Sequence, residues 1–132
     1  MTRQAFMSLS AGASVVAGLS ALLAPAELAA AFGVTLDAAG ALQTRLLGAA
    51  YLGYAAITWF GKDVRDSAAQ HAIALGSVVS YAISLVLTIA GVVVGPAGTQ
   101  AWLLVVLQAL FTTAWGYFAF INRAEVALVN AQ

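Results

Sequence analysis

The 132-residue chain has no cysteine, one histidine and two prolines. Without cysteine it forms no disulfide, thiolate metal site or iron–sulfur cluster, and it has no cysteine nucleophile. A single histidine excludes a multi-histidine metal site, and a bis-histidine haem, built from this chain alone. Charge is also scarce. Five basic and five acidic residues make up 8% of the sequence, against 63% hydrophobic. A soluble domain carries about 25% charged residues, and ten are too few to cover a globule of this size. The same figures exclude disorder, because disordered segments are polar and charge-rich. The formal net charge is zero. No basic patch exists to hold a phosphate backbone, so nucleic acid is not an expected partner.

What is abundant is alanine, at 31 positions, together with 12 glycines. Small residues on apolar helices let backbones approach closely inside a bilayer. The few charges fall in clusters, and the gaps between them are long enough for spans of about 20 residues. The pattern predicts an all-α protein, a four-transmembrane-helix bundle in a single membrane domain, with spans at about 5–24, 42–60, 71–94 and 102–121. Ala72 to Asn122 is uncharged over 51 residues, enough for two spans joined by a tight turn at Gly95-Pro96-Ala97-Gly98. Pro25 suits the first turn of a short interfacial helix, 25–32, with Glu27 at its positive dipole end and Gly33 as its stop. Residues 35–41 read as a loop in which Thr35 or Asp37 caps the next helix. Residues 61–70, with Lys62, Asp63, Arg65 and Asp66, read as a solvated loop, and 122–132 as a polar-leaning tail. A cleaved signal peptide is the rival reading of the first span, with Met1-Thr2-Arg3 as basic region and Ala24-Pro25-Ala26 as cleavage site.

Orientation follows from the basic residues. With the N-terminus inside, Arg3, Lys62, Arg65 and Arg123 all lie on the cytoplasmic side and only Arg45 lies outside. This predicts cytoplasmic N- and C-termini. Trp59, Phe60 and Trp102 then fall at the membrane interfaces, where aromatic residues are enriched.

Arg45 is the most informative single residue. It sits about six positions from the middle of the second span, about 9 Å from the midplane at 1.5 Å per residue. A charge there is either paired, with Glu27 or Asp37, or snorkels outward; the functional alternative is an anchor for a polar ligand head. Gln108, Thr112 and Trp115 share one face of the fourth span, so Gln108 either bonds a neighbouring helix or lines a ligand cavity. Gly76, Ser80, Ser84 and Thr88 recur at every fourth position of the third span, flanked by Ser77 and Tyr81. That stripe is either a packing seam or the wall of a water-lined path, although no Asp or Glu is expected inside a span to relay protons. Ser10, Ser14 and Gly18, and Ala49 and Gly53 beside Gly48, carry similar small-residue patterns. His71 reads as a solvated interfacial histidine, and no metal site is expected. Two aromatic-rich faces, with Tyr51, Tyr54 and Trp59 on one and Phe111, Trp115, Tyr117, Phe118 and Phe120 on the other, serve packing or the stacking of an apolar ligand.

The runs Pro25…Phe32-Gly33 and Gln43-Thr44-Arg45-Leu46-Leu47-Gly48-Ala49-Ala50-Tyr51-Leu52-Gly53, followed by Trp59 and Trp102, resemble small bacterial four-helix integral membrane proteins of unknown function. The likeness covers most of the chain in layout. It implies a four-span bundle in a bacterial inner membrane and brings no catalytic residues.

Three functions compete. The first is a non-catalytic accessory or assembly subunit, or a homo-oligomer, whose partners are membrane lipids, other membrane subunits or itself. The second is a binding protein or carrier for an apolar small molecule or lipid, with Arg45, Gln108, Tyr81, Ser84 and Glu27 as candidate ligand-binding residues and no other cofactor. The third, a membrane enzyme or channel, lacks acids and bases at depth.

Overall fold

The computed structural model describes residues 2–95 and 97–121, and among these there is no strand. The helices are α1 (Arg3–Leu23), α2 (Pro25–Ala31), α3 (Ala38–Gly61), α4 (Ser67–Val94) and α5 (Trp102–Gly116). A 3₁₀ turn, Thr99–Ala101, leads into α5, and a π-helical turn, Tyr117–Ile121, continues it. Three helical segments are long and apolar enough to cross a membrane: Arg3–Leu23, Ser67–Val94 and Thr99–Ile121. The expected second span is not among them. α3 has the length, at 24 residues, but Gln43, Thr44 and Arg45 in succession, with Tyr51 and Tyr54, dilute its apolar content.

Local signals account for most helix ends. The Thr2 hydroxyl accepts the amide of Ala5 at 3.3 Å and opens α1. Pro25 closes it: proline lacks the amide that would extend the helix and disfavours helical backbone at the residue before it. Ala24 accordingly leaves the helical region at φ −135°, ψ 57°, and α2 restarts with Pro25 in its first turn. Gly33, at φ +74°, takes the left-handed conformation that stops α2. Its amide donates to Ala30 O, and the Val34 amide reaches back to Ala29 O, both at 3.0 Å. Of the two expected caps for α3, Asp37 is the one used; its carboxylate accepts the Gly40 amide at 2.7 Å. The helix therefore starts at Ala38, inside the expected loop. Asp66 likewise accepts from the Ala68 amide at 2.8 Å, so α4 begins four residues before the expected His71. Gly95, at φ +113°, ends α4. The expected 95–98 turn is thus present at its described residues, Pro96 lying outside them, as does the expected tail 122–132 with Arg123.

The chain folds as two compact units, one of α1, α2 and α3 with residues 97–100, the other of α4 and α5. In the first unit α1 runs antiparallel along α3. A Cβ on Gly18 would lie 2.9 Å from Gly48 O and 3.0 Å from the Leu52 side chain; one on Gly48 would lie 2.7 Å from Gly18 O and 2.9 Å from Leu22 N. The two backbones touch where neither residue has a side chain. Phe6, Met7, Ser10, Ala11, Ser14 and Ala21 on α1, and Ala55 and Thr58 on α3, are buried in this unit. The 97–100 turn joins it through the Gly98 amide, which donates to Phe32 O at 2.9 Å. In the second unit α4 packs along α5, with the Tyr81 and Phe111 rings stacked at 5.1 Å between centroids and 15° between planes.

The contact at Gly48 leads to a sharp expectation. Gly48→Ala drives a methyl into backbone atoms of α1 that cannot swing aside, and overpacking of this kind destabilises by about 1–3 kcal/mol. Gly53, on the same helix, has no atom within 4 Å of its would-be Cβ, so Gly53→Ala is neutral or stabilising by up to about 1 kcal/mol through helix propensity. Thermal melts of both variants in the same detergent check the contrast.

Candidate functional site

The five candidate residues fall in two places. Arg45 and Glu27 belong to the first unit, and Tyr81, Ser84 and Gln108 to the second. Arg45 and Glu27 are both exposed. The antiparallel register that sets Gly18 beside Gly48 also puts Arg45, three residues earlier on α3, level with the last turn of α1. Arg45 thus stands at the rim of its unit, close to where α1 ends at Leu23. A guanidinium there has a short path outward along its own aliphatic stem. Asp37, one expected ion-pair partner, is occupied as the cap of α3.

The second unit gathers the other three. The Tyr81–Phe111 stack fixes the register of α4 against α5. Three residues onward on α4 is Ser84; three residues back on antiparallel α5 is Gln108. At 1.5 Å per residue both rise by about 4.5 Å, so they lie at one level of the seam. Both are half-buried. The Gln108 Oε1 is itself buried and accepts no hydrogen bond from the described residues. One turn to the other side of the stack, Ser77 and Trp115 are both buried.

The hydroxyl stripe of α4 resolves into something narrower. Gly76 and Ser80 are exposed, while Ser84 and Thr88 are half-buried. The fully buried hydroxyl is that of the flanking Ser77, which donates to Ile73 O at 2.7 Å within its own helix. The same bond to the carbonyl four residues back recurs at Ser14, Thr44, Thr58, Thr88, Thr112 and Thr113. These hydroxyls satisfy themselves locally. Within the stripe itself the bond is made by Thr88, to Ser84 O at 2.8 Å, while Ser80 is exposed.

Two features were missed in the sequence reading. Ser10 is wholly buried with its Oγ unbonded among the described residues; only its place in the Ser10, Ser14, Gly18 series hinted at this. The Lys62 ammonium lies over the Trp59 ring, 3.3 Å from its centroid. Its signal was the three-residue spacing of aromatic and cation on one helix face. The described residues contain no group of three or more His, Asp or Glu able to hold a metal ion.

Gln108→Leu separates a structural from a ligand-holding amide. Replacing a buried acceptor that has no donor among the described residues by an apolar group of similar shape stabilises the chain or leaves it unchanged, within about 1 kcal/mol; a loss well beyond that in a detergent melt counts for a donor that meets Gln108. Family models, curated proteins and solved structures were all compared with the chain, and none matches.

Proposed function

We propose that the chain is a multi-pass membrane protein without catalysis of its own, which works by packing its helices against another membrane subunit or a second copy of itself. The observation that carries this reading is the outward face of α4. Ala72, Gly76 and Ser80 recur at every fourth residue, all exposed, and no atom lies within 4 Å of a Cβ built on Gly76. At Gly18 and Gly48 the chain uses such residues to bring two helices into backbone contact. On α4 the same small-residue pattern faces outward and open. A helix from another chain can reach the α4 backbone there, as small-residue faces permit in lipid.

In this reading α3 is the fourth span. Its charge, Arg45, stands at the rim of the first unit, and Arg3 and Lys62 are grouped at the opposite end by the antiparallel register. That grouping supports cytoplasmic N- and C-termini with Arg45 on the outer side. A second reading, a carrier for an apolar molecule, is favoured by one observation, the unbonded Oε1 of Gln108 beside the Tyr81–Phe111 stack.

Gly76→Leu tests the first reading. It fills open space, so the stability of the single chain stays within about 0.5 kcal/mol of the original, while the larger assembly seen by size-exclusion chromatography in mild detergent is lost. An assembly that survives the substitution, or an original chain that runs as a monomer with no co-purifying subunit, overturns it.

A further inference from the structure

We infer that Lys62, held on the Trp59 ring, is a binding point for the phosphate of an anionic membrane phospholipid, whose acyl chain lies along the exposed face of α3. The inference rests on the reading of α3 as a membrane span. Its starting point is the end of that helix. Trp59 is 49% exposed and Phe60 74%, immediately before the polar loop that Lys62 opens. The Lys62 ammonium, 3.3 Å from the indole centroid, is fixed by the ring's negative face. An unpaired lysine side chain would otherwise sweep a wide arc in water. Held this way, the cation stands at one depth, and its N–H groups that point away from the ring are free to meet an anion.

The face below it fits a lipid tail. Phe60, Ile57 and Gly53 follow one another at three- and four-residue steps and are all exposed. Gly53 has open space where a side chain would stand, so the face steps from a projecting ring down to bare backbone. A chain descending from a phosphate at Lys62 passes Phe60 and Ile57 and reaches the hollow at Gly53.

The charges at this end favour an anion. The antiparallel register places the first turn of α1, with Arg3, at the level of Lys62. Asp63, exposed beside Lys62, and Asp66, exposed further along the same loop, are the opposing charges and weaken the site. A zwitterionic lipid presents its phosphate with an ammonium that Lys62 repels; an anionic lipid does not.

The test is native mass spectrometry of the full chain released from nanodiscs of equimolar phosphatidylglycerol and phosphatidylcholine. The original chain retains several-fold more phosphatidylglycerol than phosphatidylcholine. Lys62→Gln brings the two close to parity, Lys62→Arg keeps the excess, and Asp63→Asn increases it. Equal retention by the original chain, or an undiminished excess in Lys62→Gln, overturns the proposal. Resistance to alkaline carbonate extraction is read on the same samples. If the original chain is extracted, the membrane-spanning reading fails; if it resists and the lipid preference does not depend on Lys62, only the lipid site fails.

Discussion

The backbone contact between Gly18 and Gly48 is the constraint on which the first unit depends. With α3 a span, as proposed, lipid around it is as apolar as leucine, so burying an aliphatic side chain between α1 and α3 would gain little. Close approach gains contact area, and only glycine permits it here, since any Cβ at Gly48 would lie within 3 Å of two backbone atoms of α1. The contact sets the register of α1 on α3. That register in turn places Arg45 at the rim near the end of α1, and Lys62 at the other end beside the first turn that bears Arg3. One steric fact thus fixes where the charged residues of the unit stand.

The hydroxyl groups reinforce this dependence on shape. Serines and threonines within helices can bond across an interface or back to their own carbonyls. Ser14, Thr58, Ser77 and Thr112, one in each of α1, α3, α4 and α5, bond back, whereas the Ser10 hydroxyl does not. Side chains that hold their own helix's carbonyls contribute little directional attraction to a neighbour. Helix pairing then relies on small residues meeting small residues and on ring stacking such as Tyr81 on Phe111.

What was legible in the sequence was local. Pro25, Gly33, Asp37 and Gly95 each act through the backbone of the next few residues, so their effects follow from residue type and position alone. The early start of α4 was misread because Asp66 looked like one more charge in a solvated loop; a carboxylate is both a charge and a helix cap, and composition does not separate the roles. The partner of Gly18 was not legible either. Gly48, Ala49 and Gly53 were all small, and the choice among them depends on the rotation of α3 against α1, which no short window encodes. The same limit applies to the candidate site: Tyr81, Ser84 and Gln108 are drawn to one seam by an antiparallel pairing that the turn after Val94 made expectable, whereas the burial of the Gln108 oxygen depends on side-chain packing that the sequence does not encode.

The scarcity of charge takes on a positional meaning in this frame. A polar residue is tolerated in a bilayer where it can reach water or bond its own backbone. In the proposed reading Arg45 meets the first condition at the rim of its unit; Ser14, Thr58, Ser77 and Thr112 meet the second, and Lys62 rests on the Trp59 ring at the polar end of α3. Gln108 does none of these through its Oε1, and an apolar residue would have filled the same volume without a desolvated acceptor. The small residues divide in a parallel way. Gly48 is consumed by the fold, but Gly76 is left open on a face whose neighbours are also small. Glycine in a helix interior is destabilising by about 0.5–1 kcal/mol relative to alanine, and among the described residues no close contact at Gly76 offsets it. In the proposed assembly a facing helix would approach there as closely as α1 approaches Gly48, and that contact would offset the cost.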